Sequence, residues 1–98
     1  MRMFYSVHAK DRMVERYISE EEIVEALETG EIEENHEEGL FEVEHNRVRI
    51  VFGYDSEEEV VTVVTAIHSR AFSKEIKKYS KKNKVGVRAS IRVLKGVA

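Results

Sequence analysis

Val60-Val61-Thr62-Val63-Val64-Thr65-Ala66-Ile67 is a run of eight small or β-branched residues with no polar face. A surface helix needs a polar side and an exposed edge strand a wet one, so the run predicts a strand over about 59–68 with neighbours on both sides. Upstream of it the apolar period is two from Glu31 onward, which predicts strands over 31–36, 40–45 and 47–54. His45-Asn46-Arg47 is short enough for a tight hairpin, and Asp55-Ser56-Glu57 supplies the turn after Tyr54. In the third strand Val48, Ile50, Phe52 and Tyr54 share one face and leave Arg47, Arg49 and Val51 on the other. Short links between four consecutive strands predict an antiparallel meander. Thr65 is expected to serve that sheet as a β-former on its core face.

Before Glu31 the period is helical. Ser6 is a candidate N-cap for a helix to about Tyr17, with Ala9, Met13 and Tyr17 repeating every four residues and Val7 and Val14 widening the apolar stripe. Ser19 begins a capping box with Glu22, Ile18 is placed to staple onto Ile23, and Gly30 is a candidate left-handed stop, which predicts a second helix over 20–29. After the last strand, Ser73 would cap a short basic helix over 74–82 in which Ile76 and Tyr79 dock. The tail alternates Val85, Val87, Ala89, Ile91 and Val93 with polar residues, the pattern of an edge strand or of a segment ordered by a partner. The expected class is therefore α+β: two N-terminal helices, a four-stranded antiparallel sheet, a short C-terminal basic helix and a tail. A length of 98 residues suits one domain, with a core over about 4–82.

Composition narrows the chemistry. Cysteine is absent, which removes disulfides, thiolate zinc sites and a cysteine nucleophile. No apolar run reaches the roughly 20 residues of a membrane span and no secretory leader is recognisable, so a cytoplasmic protein with no membrane partner is expected. The net charge of −3 conceals two opposed segments. Residues 1–67 hold 6 basic and 18 acidic side chains, whereas residues 68–98 hold 10 basic ones and a single acid, Glu75. The basic segment would attract phosphate backbones or an acidic partner, or the two parts neutralise each other in the fold.

Two constellations could carry chemistry. His8, Arg12 and Arg16 recur every four residues on one side of the first helix, where arginines could clamp phosphate oxygens while an imidazole moves a proton. The plainer reading is a solvated face in which Asp11 and Glu15 make ordinary surface ion pairs. His68-Ser69-Arg70 brings a second imidazole and guanidinium to the end of the innermost strand. Should the two clusters converge, His8 and His68 could act as base and acid for attack by a ribose 2′-hydroxyl, with arginines holding the phosphorane charge. Otherwise His68 is a strand-end residue. Lys74, Lys77, Lys78, Lys81 and Lys82 would hold flanking phosphates. Tyr79 reads as a packing residue with a wet tip. His36-Glu37-Glu38 and His45 lie among glutamates, but no spacing there matches a metal-ligand set, and no phosphate loop or zinc-protease motif occurs; neither metal nor cofactor is expected.

The run from Tyr5-Ser6-Val7-His8-Ala9 through Arg12, Arg16 and Ile18-Ser19, then Glu22-Ile23, Leu27-Glu28-Thr29-Gly30 and the later Val64-Thr65, resembles a domain family of unknown function. Ala66-Ile67-His68-Ser69-Arg70-Ala71-Phe72-Ser73-Lys74-Glu75, leading to Tyr79, is similar to the end of BrnT toxins, with His68 where a small or apolar residue is usual. Both families look like members of the RelE and barnase-like toxin superfamily. That resemblance implies helices followed by an antiparallel sheet and metal-independent cleavage of mRNA. It implies roles for His8, Arg12 and Arg16 from the first family and for Arg70 and Lys74 from the second. The implied partners are RNA and an antitoxin protein, and a homodimer stays open. The rival expectation is a non-catalytic nucleic-acid-binding or protein-interaction module on the same fold.

Overall fold

The computed structural model describes residues 2–35, 37 and 39–97. The suggested His36-Glu37-Glu38 cluster therefore lies partly outside the described residues. The chain opens with a strand, not a helix: β1 (Arg2–Tyr5) pairs parallel to the distant last strand, Arg2 opposite Val60 and Tyr5 opposite Val63. Next come α1 (Val7–Arg16) and α2 (Glu20–Thr29), then β2 (Glu31–Glu34), β3 (Leu40–His45), β4 (Val48–Asp55) and β5 (Val60–His68). The sheet is therefore five-stranded and mixed, ordered β1-β5-β4-β3-β2, rather than four-stranded and wholly antiparallel. β5 lies between β1 and β4, which is why it carries apolar residues on both faces.

Local signals explain most boundaries. The Ser6 hydroxyl accepts from the Ala9 amide, and Ser19 with Glu22 completes the capping box. Asn46 takes a left-handed conformation in the tight β3–β4 turn, and the Asp55 carboxylate accepts from the amides of Glu57 and Glu58 to close the next turn. Gly30 has φ −74°, so it is no left-handed stop. A Cβ there would run into a Val43 methyl and the Ala26 carbonyl, so glycine is required because α2 and β3 pass too closely for a side chain.

Val48, Ile50 and Phe52 of β4 and Val61, Val63 and Ala66 of β5 are buried with Ala9, Ile18, Ile23 and Ala26 of the helical layer. A β-bulge makes this possible. Val51 faces Thr65 while Phe52 faces Val63, so Val64 is the extra residue and both halves of β5 turn to the helices. Thr65, expected on the core face, consequently lies beside Val51 on the opposite one. Val7 and Val14, expected to extend the helix stripe, are 77% and 72% exposed; on a ten-residue helix the seam at Ala9 and Met13 is too narrow to reach them.

The C-terminal third departs furthest from expectation. Ser69, not Ser73, accepts from the Phe72 amide and caps α3 (Arg70–Asn83). Residues expected as tail or edge strand form α4 (Val87–Lys95). α3 and α4 pack through Phe72, Ile76 and Ile91, with Tyr17 and Leu94 alongside, and this helical hairpin sits at the end of β5. The result is a molecule 49 Å long and 23 by 21 Å across. No helix among the described residues is long and apolar enough to cross a membrane.

Candidate nucleic-acid interface

α3 buries Phe72 and Ile76 and turns its cations directly away from them. At 100° per residue, Arg70, Lys74, Lys77, Lys78, Lys81 and Lys82 fall on one continuous face opposite that seam. The stripe runs about 18 Å along the helix. Among the described residues none of its five lysines is ion-paired, whereas Arg70 lies 3.7 Å from the Glu44 carboxylate and donates its amide to it at 2.8 Å. Lys81 and Lys82 stand in the last turn, where the helix dipole favours positive charge. α4 adds Arg88 and Arg92, which sequence reasoning did not single out; their spacing of four was visible but hidden within the strand-like alternation of the tail.

The α1 row follows the free edge of β5. β1 stops pairing at Val63, and beyond that point side chains of α1 take over: the Ser6 hydroxyl donates to the Val64 carbonyl and Arg16 to the Ala66 carbonyl at 2.6 Å. Arg16 is thereby half-buried, and burial, reinforced by the neighbouring charge of Arg12, weighs against its cationic form. Arg12 pairs with Glu15 at 2.7 Å, and His8 is exposed.

His68 occupies a different setting. It is 8% exposed, its Nε2 lies 2.9 Å from the Arg16 carbonyl, and its ring meets Phe72 edge-on at 5.2 Å. Since a carbonyl only accepts, Nε2 carries the proton and donates it. Burial holds its pKa below the usual histidine range, outweighing the hydrogen bond to Arg16, and the nearby charges of Lys95 and Arg16 add to the lowering. The structure thus brings His68 to Arg16 but not to His8, which lies in the first turn of α1, about 12 Å earlier along the axis. Arg16 and Arg70 diverge as well: one rests on the β5 edge, the other reaches across to β3. Arg47, read as a strand residue, instead places its guanidinium 4.8 Å over the Phe72 ring and donates to the Leu94 carbonyl. No local signal announces that contact, because it joins residues far apart in the chain.

His45 lies 3.9 Å from Glu25 in a small polar cavity with Glu22 and Arg47. Among the described residues no group of three carboxylates or imidazoles is gathered to hold a metal ion.

An α+β layer of two helices on a mixed sheet, extended by a basic helical hairpin, defines the class. The model of the family described as a domain of unknown function, DUF4258, matches residues 5–78, and the chain belongs to that family. No curated protein matches it in sequence. Among solved structures it is similar to a chain of the toxin–antitoxin complex RelBE2 from Mycobacterium tuberculosis, with 17% identity and a TM-score of 0.48 over 69% of this chain and 96% of that one.

Proposed function

We propose that this chain is an RNA-binding protein of a toxin–antitoxin pair, and that the α3 stripe is its phosphate-binding surface. The observation that carries the reading is the row of five unpaired lysines opposite the Phe72–Ile76 seam. On a chain of net charge −3, a cationic face of that length is a place where a polyanion gains more than it loses. The RelE-like resemblance of the motifs around His8 and Arg70 supports RNA as the polyanion and an antitoxin protein as the second partner.

A second reading, metal-independent endoribonuclease, is favoured by the exposed His8 on the same helix as Arg12 and Arg16. In it His8 exchanges protons with the ribose 2′-hydroxyl or the leaving oxygen and Arg12, one turn along, holds the scissile phosphate, while Arg16 stays on the Ala66 carbonyl and braces the β5 edge. His68 is left to a positioning role, because its proton is engaged by the Arg16 carbonyl. One experiment separates the readings. Wild type and His8→Ala are incubated with RNA in EDTA, with and without ribosomes, while binding is followed by gel shift. Binding by both without cleavage supports the binding protein. Fragments with 5′-hydroxyl ends from wild type alone support the nuclease, and absence of RNA binding overturns both.

A further inference from the structure

We propose that the apolar groove beside α2 seats a cationic amphipathic helix of a partner protein. This inference goes beyond RNA binding and uses the opposite end of the molecule. The groove has a volume of about 490 Å³ and lies on the helix side of the sheet, at the end remote from the α3–α4 hairpin. Its floor crosses every strand, from Met3 of β1 through Val61, Phe52 and Phe41 to Ile32 of β2; Leu27 and Val24 of α2 form a wall. Ile32, Tyr54 and Val24 remain 49%, 44% and 37% exposed there, as apolar surface that α1 and α2 leave uncovered.

The shape selects a helix. The floor spans four inter-strand steps, about 19 Å, which equals roughly 13 residues of helix. Across the floor the strands pair with one another in the plane of the sheet, so an extended peptide lying over that face would find no backbone partners there, while a helix satisfies its own internally. Such a helix would lie beside α2 as a third member of the layer, with apolar anchors at i, i+3 or i+4, and i+7.

The rim selects the charge. Glu28 lines the groove, Glu20 and Glu21 precede it on α2, and Glu34 stands on the same face of β2 as Ile32. The turn beyond Tyr54 adds Asp55, Glu57, Glu58 and Glu59. Arg2, at the head of β1, is itself paired with Glu58. A rim of this sign repels RNA and anionic lipid and favours lysines or arginines flanking an apolar stripe.

The probe is a fluorescein-labelled peptide of about 14 residues with leucines at helical spacing and lysines elsewhere, beside a twin carrying glutamate for lysine. Anisotropy gives affinity, and amide chemical shifts on the full chain locate binding. The lysine peptide is expected to bind with shifts at Val24, Leu27, Ile32 and Tyr54, and the glutamate twin to bind at least about tenfold more weakly. Ile32→Lys, at an exposed position, should weaken binding by a similar factor. Glu21→Lys with Glu28→Lys should do so while leaving the apolar lining intact; unchanged circular dichroism verifies both folds. Equal binding of the twins, shifts confined to α3, or no binding at all overturns the proposal. So does a concentration-dependent dimer that Ile32→Lys dissociates, because the occupant would then be a second copy of this chain.

Discussion

The ammonium of Lys95, in the last turn of α4, lies 2.7 and 2.9 Å from the two carboxylate oxygens of Glu22, the residue that closes the α2 capping box. Lys95 also donates to the Tyr17 carbonyl, so one side chain joins the last helix to the ends of the first two. Its side chain is 9% exposed and that of Glu22 29%.

Removing the ammonium should loosen the hairpin. Lys95→Met is expected to cost about 1.5–3 kcal/mol, the range for a hydrogen bond to a charged group. Urea unfolding of the variant against wild type measures it.

Burial opposes the Glu22 charge, but hydrogen bonds from Lys95 and Ser19 outweigh it and hold the carboxyl below the usual 4.5. A lowered carboxyl pKa contributes stability that is complete above about the usual value and fades as pH falls towards the folded one. Between neutrality and pH 3, Glu22→Gln should therefore lose stability less steeply than wild type does.

His68 becomes charged on protonation where Glu22 becomes neutral, yet the outward sign is the same. Its pKa lies below the usual 6.5, so on acidification the unfolded chain takes up a proton before the folded one does. Stability should be flat above about pH 6.5 and decline below it, at up to about 1.4 kcal/mol per pH unit. His68→Asn should flatten that segment, and the His68 ring resonances should titrate below pH 6.5.

Gly30→Ala places a methyl 2.7 Å from the Ala26 carbonyl and closer still to a Val43 methyl. The expected loss is about 1–3 kcal/mol, the cost of overpacking. Thermal melts of Gly30→Ala and, as a control in open space, Gly86→Ala should differ accordingly.

If α3 holds RNA phosphates, each Lys→Ala change among Lys74, Lys77, Lys78, Lys81 and Lys82 should reduce the salt dependence. The slope of log K against log salt should fall by about 0.7 per removed contact on a single strand. Filter binding over a salt series reads this, and unchanged slopes would assign the contacts elsewhere.

The meander and the first two helices were legible because their signals are local: the Ser6 and Ser19 caps, the period of two from Glu31 and the tight turn at Asn46. β1 was not, because Arg2-Met3-Phe4-Tyr5 is four residues long and becomes a strand through pairing with Val60–Val63. α4 satisfies two periods at once. Val87, Ala89, Ile91 and Val93 alternate as in a strand, yet Val87, Ile91 and Leu94 also follow a helix, and docking of Ile91 and Leu94 on Phe72 and Ile76 decides between them. Within the candidate site, the lysine stripe was legible from spacing. The engagement of His68 by the Arg16 carbonyl was not, since it depends on where the end of α1 crosses β5.

The parallel pairing of β1 with β5 also orders events during synthesis. β1, made well before β5, has to wait for residues 60–63 before its backbone groups find their mates. Until then the carbonyls that seat Ser6 and Arg16 are missing too, and contacts this far apart in sequence form slowly. A stall before β5 would leave Phe4 and Tyr5 on an unfinished border, open to any other extended segment within reach.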